Sequence, residues 1–197
     1  MPHAVNDEAL DTILRAARTH NKWKDEPVSD ALLMAIYDLM RWGPTSANTT
    51  PARILFLTSR AAKERLKPLL DAGNREKTMH APAVAIIGYD LDFPRTLPHL
   101  FPSSPGLKDS FAGKPALTRT EALRNGSLQG GYFIVAARAL GLDCGPMGGF
   151  DRAGVDREFF AGTNIKSNFL CALGHGDPAG VYPRGPRLSF DEACRIV

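Results

Sequence analysis

The segment that most restricts the fold is 119–140, a helix-length run with almost no polar face in its second half. Leu123, Leu128, Tyr132, Phe133, Ile134, Val135 and Leu140 fall on nearly every side of a helical projection. Such a helix is expected to be buried on more than one side. Gly126, Gly130 and Gly131 interrupt it, each at a cost of about 1 kcal/mol relative to Ala. Close approach of another helix would offset that cost, and a central helix in a dimer interface meets both conditions. Gly141 follows as a natural C-cap.

Such a helix needs partners. Residues 54–57 and 83–88 are continuous apolar runs of strand length, which predicts strands covered on both faces. Residues 168–174 read as a third buried strand. Asn6-Asp7-Glu8 opens a helix that carries Leu10, Ile13, Leu14 and Ala17 and ends near Arg18. Ser29 caps a second, with Leu32, Leu33, Ile36, Leu39 and Met40 turned inward. Ser59 caps a third that reaches Leu70 and bends at Pro68, and Asp151 caps a fourth running to Phe160. Five prolines, Pro94, Pro98, Pro102, Pro105 and Pro115, exclude a long helix between 92 and 115. The irregular stretch at about 90–117 is expected to be lid-like, with Phe93, Leu97, Leu100, Phe101 and Phe111 as its apolar underside. No repeat or linker divides the 197 residues, so one domain is expected.

Composition narrows the function classes. A net charge of +3 comes from scattered basic residues, which speaks against a nucleic-acid partner and is compatible with a phosphate-bearing cofactor. Cys144, Cys171 and Cys194 form no Cys-x-x-Cys pair, and the histidines are dispersed. Reduced thiols in a cytoplasm and no metal site are therefore expected. No apolar run approaches the roughly 18 residues needed to span a bilayer, and no signal-like segment opens the chain.

Five short motifs carry chemistry. Residues 42–53 read Trp-Gly-Pro-Thr-Ser-Ala-Asn-Thr-Thr-Pro-Ala-Arg. Pro44 cannot continue the preceding helix. The small residues after it let a flat ligand approach the backbone, although ordinary loops share this composition. Arg18-Thr19-His20-Asn21 is either a solvated helix end or a cradle for phosphate, which the planar fork of Arg suits. Asn74 and Lys77 share a face if their segment is helical, and are otherwise an exposed turn. Residues 142–151 hold three glycines and Pro146, which implies backbone laid against something flat. The tail carries Arg184 and Arg187.

In this order the motifs resemble those of the nitroreductase family of FMN-dependent oxidoreductases. Residues 44–48 resemble its flavin-ring loop, Arg18 to Asn21 its phosphate and ribityl motif, Asn74-x-x-Lys77 its pyrimidine-edge pair, and residues 146–151 its Pro-x-x-Gly-Phe-Asp turn. Arg184 and Arg187 lie where its basic tail holds phosphate. The resemblance implies an α+β nitroreductase-like fold, a central mixed β-sheet covered by helices on both faces. It also implies an intertwined homodimer with two sites at its interface, FMN as cofactor and NADPH or NADH as hydride donor. The implied cofactor-binding set is Arg18, Thr19, His20, Asn21, Pro44, Thr45, Ser46, Asn48, Asn74, Lys77, Pro146, Met147, Gly148, Gly149, Arg184 and Arg187. The hydride chemistry would belong to the flavin, and no catalytic side chain is named.

Three positions depart from the family pattern. Asn21 replaces a common basic residue, Gly148 a frequent Glu, and Thr50 a frequent Gln. Residues 17–23, 41–53, 140–151, 159–170 and 187–192 most resemble members that reduce malonic semialdehyde to 3-hydroxypropionate in pyrimidine (uracil) catabolism. A broad NAD(P)H nitro or quinone reductase is the alternative, and a flavin-binding protein without turnover is the alternative of another class. No Gly-x-Gly-x-x-Gly with a distal acid separates NADPH from NADH.

Overall fold

The structure, a computed structural model, describes residues 3–197. The first helix, α1 (Asp7–Leu10), is capped by Asn6, whose side chain accepts from the Ala9 amide, and runs on as a π-turn over Asp11–Arg15. In α2 (Asp30–Met40) the Ser29 hydroxyl accepts from the Leu32 amide. Strand β1 (Ala52–Leu57) is followed by α3 (Arg60–Leu66), which Pro68 converts into a 3-10 turn over Lys67–Leu69. Next come α4 (Ala72–His80), β2 (Ala83–Asp90) and the one-turn α5 (Leu97–Leu100). The long helix α6 (Pro115–Ala139), β3 (Asp143–Met147), α7 (Arg152–Phe159), β4 (Ile165–Gly174) and α8 (Phe190–Ala193) complete the order.

The four strands form one sheet in the order β1-β2-β4-β3. A mixed sheet is the expectation; all three strand pairs are antiparallel, because each connection leaves neighbouring strands pointing in opposite directions. One parallel contact exists, an isolated bridge between Thr19 and Cys144 that covers part of the β3 edge. Side chains alternate across the sheet. Ala83, Ala85, Ile87, Cys171 and Leu173 meet Leu33, Ile36 and Met40 of α2 and Phe133, Ala136 and Ala137 of α6. On the other face, Val84, Ile86, Leu170 and Ala172 meet Leu66 of α3 and Val155 of α7. Helices therefore cover both faces. The central strand β2 is buried from Ala83 to Tyr89, whereas β1 is an edge strand and only half-buried as far as Phe56.

Two further expectations are corrected by packing. Within the chain α6 is buried along one stripe, and Leu117, Leu128 and Val135 on another stripe stay exposed. Its glycines are matched to the sheet rather than to a helix. A Cβ on Gly126 would lie 2.9 Å from Tyr89 Cβ, and one on Gly130 would lie 2.5 Å from the Phe169 ring, while Gly131 faces open space. The proline-rich stretch lacks a long helix, as its prolines require, but it is not structureless. Phe93 and Leu97 are fully buried beside Tyr89 and Ala122, and Phe93 packs edge-on against Phe111 at 5.0 Å.

Candidate functional site

The motif residues gather in two places. The first is a cavity of about 510 Å³ lined by Arg18, Thr19, Asn21, Arg138, Arg184 and Arg187 among others. Four guanidinium groups face one space, and no carboxylate lines it. Among the described residues none of the four is ion-paired; the arginine pairs lie elsewhere. Their partners are carbonyls. Arg18 donates to Tyr182 O, Arg184 Nη2 to Arg15 O at 2.7 Å, Arg187 Nη1 to Pro186 O at 2.9 Å, and Arg138 Nη1 to Ile13 O at 3.1 Å. Unneutralised positive charge held by backbone dipoles is a site for an anion.

Beside this cavity stands the second half of the same cluster. Lys77 Nζ donates to Asn21 Oδ1 at 3.4 Å, and Trp23 Nε1 donates to the Lys77 carbonyl at 3.0 Å. Residues 21–23 thus grip Lys77 at both ends. Burial lowers the Lys77 pKa, as it does for any ammonium removed from water. Asn74 Nδ2 donates to Gly149 O at 2.8 Å, which fixes its amide against the turn after β3. A Cβ on Gly149 would meet Asp71 Oδ2 at 2.5 Å and Asn74 Nδ2 at 2.9 Å, so a larger residue here would displace the Asn74 amide, whereas Gly148 faces open space. The helical reading of residues 74–77 is correct, since they lie within α4.

Two of the predicted residues turn elsewhere. The His20 ring is buried, with Nδ1 3.3 Å from Asp143 Oδ1, and Asp143 Oδ2 accepts the Gly176 amide at 2.9 Å. The ring packs behind the cavity, and its Nδ1 makes no hydrogen bond among the described residues. Met147 is 5% exposed, packs in the core and accepts the Thr78 hydroxyl on its sulfur at 3.5 Å. Pro146 is a half-buried member of β3, paired with Cys171.

The loop at 44–50 is the second place. Ala47, Asn48 and Thr50 have φ of 45°, 51° and 34°, and they are the non-glycine residues with positive φ among those described. Each such residue costs on the order of 1–3 kcal/mol and persists only where its surroundings hold it. The hold comes from one face of α6. Asn125 Oδ1 accepts the Ser46 amide at 2.8 Å, Gln129 Oε1 accepts the Ala52 amide at 2.8 Å, and Tyr132 Oη donates to Pro44 O at 2.9 Å. Thr45 Oγ1 accepts the Thr50 amide at 3.2 Å, and Asn48 Nδ2 donates to Leu100 O at 2.8 Å, tying the loop to the proline-rich segment. The Ser46 side chain is exposed. Pro44, Asn48 and Thr50 border a cleft of about 700 Å³ that also takes in Trp42 and Leu100.

The two places lie on opposite sides of α6. From Asn125 to Arg138 is 13 residues, which is about 20 Å along a helix and roughly 220° around it. One chain therefore does not close its own loop over its own cationic cavity. Arg138, Asn125 and Gln129 are the residues that motif reading misses. Their signal is polarity at helical spacing inside an apolar helix, Asn125 and Gln129 standing at i and i+4.

The Nitroreductase family profile matches residues 2–176. A relative from Stenotrophomonas maltophilia (strain K279a), provisionally named an NADH dehydrogenase/NAD(P)H nitroreductase, is 61% identical over 197 residues, covering 100% of both chains. A nitroreductase structure from Exiguobacterium sibiricum in complex with FMN, also provisionally named, superposes with a TM-score of 0.87 at 19% identity and covers 100% of both chains. An NAD(P)H:FMN oxidoreductase structure from Staphylococcus epidermidis, again provisionally named, gives 0.81 at 18% identity, covering 100% of this chain and 98% of its own.

Proposed function

Because the chain belongs to the nitroreductase family, we propose that it is an FMN-dependent oxidoreductase that draws hydride from NADPH or NADH. The observation that carries this reading is the 510 Å³ cavity with four guanidiniums and no acid, adjoining the amide of Asn74 and the ammonium of Lys77. A phosphate dianion fits the cavity, and a flat ring with donors and acceptors on one edge fits Asn74, Lys77 and the open space at Gly148. When bound, FMN supplies the hydride chemistry, passing to the oxidant what it takes from the nicotinamide.

The chain's own residues bind and orient. Arg18, Arg184 and Arg187 hold the phosphate with Thr19 beside them, and Asn21 and Trp23 keep Lys77 in place. Asn74 presents its remaining acceptor, and the Gly148-Gly149 backbone forms the floor. Pro44, Thr45, Ser46 and Asn48 come from the second chain of a homodimer, because their own chain holds them across α6. His20 and Met147 serve this site from behind. The 197 residues act as one domain. The thiols fit a cytoplasmic protein, and no helix among the described residues is long and apolar enough to cross a membrane.

Malonic semialdehyde, reduced to 3-hydroxypropionate in pyrimidine catabolism, is the substrate supported by the five stretches set out above. The names of the relatives, an NADH dehydrogenase/NAD(P)H nitroreductase and an NAD(P)H:FMN oxidoreductase, support equally the alternative of a broad nitro or quinone reductase. A panel of malonic semialdehyde, nitroaromatics and quinones, run with NADPH and NADH on the purified yellow protein, decides between them. A colourless protein that takes up no FMN would overturn the flavin reading, and a yellow one with no turnover on any oxidant would leave a flavin-binding protein.

A further inference from the structure

The cationic cavity contains a guanidinium that differs from the other three. Arg184 and Arg187 sit on the exposed tail, and Arg18 is half-buried near the end of the N-terminal segment. Arg138 projects from the last turn of α6, whose buried stripe packs on the sheet, and lines the cavity from that side. Its Nη1 donates to Ile13 O, and its Nε is out of reach of solvent with no hydrogen-bond partner. A buried donor without an acceptor is destabilising, more so on a charged group. A chain selected for stability alone would put an aliphatic residue at position 138 or an acid beside it, yet position 138 is Arg and no carboxylate lines the cavity.

We infer that Arg138 is a phosphate-binding residue of this cavity, the fixed cation onto which the tail arginines close, at a cost in stability to the ligand-free protein. The inference rests on the flavin reading above and adds to it a residue on a different element, with a different consequence. A guanidinium stranded without an anion penalises the empty protein, and a dianion in the cavity relieves the penalty. Loss of Arg138 should therefore weaken binding of the phosphorylated ligand while leaving the empty fold as stable or more so. A residue serving only packing would show the reverse.

The test compares wild type with Arg138→Leu and Arg138→Lys. FMN-stripped protein is titrated with FMN and with riboflavin, which lacks the phosphate, and the melting temperature is read with and without ligand. Arg138→Leu is expected to weaken FMN by about ten- to a hundredfold and to leave riboflavin within about twofold. It should melt no lower than wild type when empty, and Arg138→Lys should recover part of the lost affinity. The inference is overturned if FMN affinity is unchanged, if FMN and riboflavin weaken equally, or if the empty Leu variant melts well below wild type. If wild type itself takes up no FMN, the flavin reading fails, and inorganic phosphate becomes the probe. A rise in melting temperature with phosphate that is present in wild type and absent in Arg138→Leu sustains the inference, and equal behaviour in both ends it.

Discussion

At the scale of single residues, Lys77 is the group whose environment says most. Its ammonium is half-withdrawn from water, which lowers its pKa, and its one side-chain partner, Asn21 Oδ1, is neutral. Negative charge arriving beside Nζ would draw the pKa back up, so the site favours whichever state of a ligand is more anionic. Reduction adds negative charge to one edge of a flavin ring. Lys77→Met is therefore expected to lower the flavin midpoint potential while affecting binding of oxidised FMN less, a differential loss of ~1.5–3 kcal/mol for one charged contact. A redox titration and an FMN dissociation constant on the same variant check this. Loss of binding with an unmoved potential would make Lys77 an anchor only, and no change in either would make it an ordinary helix residue.

At the scale of elements, α6 holds the strained loop on one face and the sheet on another. Gln129 is 4% exposed, and its carbonyl is the acceptor for the Ala52 amide at the start of β1. Gln129→Ala leaves that N–H without a partner, so a stability loss of about 1–3 kcal/mol is expected, read by urea unfolding. Gly130→Ala drives a methyl into the Phe169 ring and should cost about 1–3 kcal/mol by overpacking; an unchanged urea midpoint would show that the ring moves aside freely. These two sites also show what a sequence can disclose. The caps at Ser29, Ser59 and Asp151, the buried run of β2 and the proline breaks were legible because each depends on neighbours in the chain. The cation cluster was legible in part, since Arg18, Arg184 and Arg187 sit in recognisable motifs. Strand direction, the sheet contacts of Gly126 and Gly130, and Arg138 were not, because each depends on what a distant segment brings alongside. Residues 143–147 were hidden as a strand, since three of the residues from 145 to 149 are glycine and one is proline, poor strand formers.

At the scale of the whole molecule, one chain leaves apolar surface uncovered. Leu117, Leu128 and Val135 form an uncovered stripe on α6, and Trp42 before the loop is 76% exposed. Tyr182, Leu188, Phe190 and Ile196 leave the tail with apolar side chains and nothing to bury them. A homodimer as proposed would bury this apolar surface, and the separation of loop from cavity across α6 says what its interface would have to join. Sedimentation should therefore give about twice the 21.4 kDa chain mass, and a stable monomer retaining FMN would refute a shared site. Mixing two defective chains is the sharper experiment. One chain carries Arg18→Ala and Arg187→Ala, which remove the cavity's grip, and the other carries Ser46→Arg, which blocks the loop. Each homodimer should bind FMN poorly. When the two are unfolded and refolded together, the mixed dimer contains one site with the intact loop of the first chain and the intact cavity of the second. Its other site combines both defects. About half of the dimers formed at random are mixed, so roughly a quarter of the wild-type FMN capacity should return. If loop and cavity of the same chain made the site, every site would retain one defect and refolding together would restore nothing.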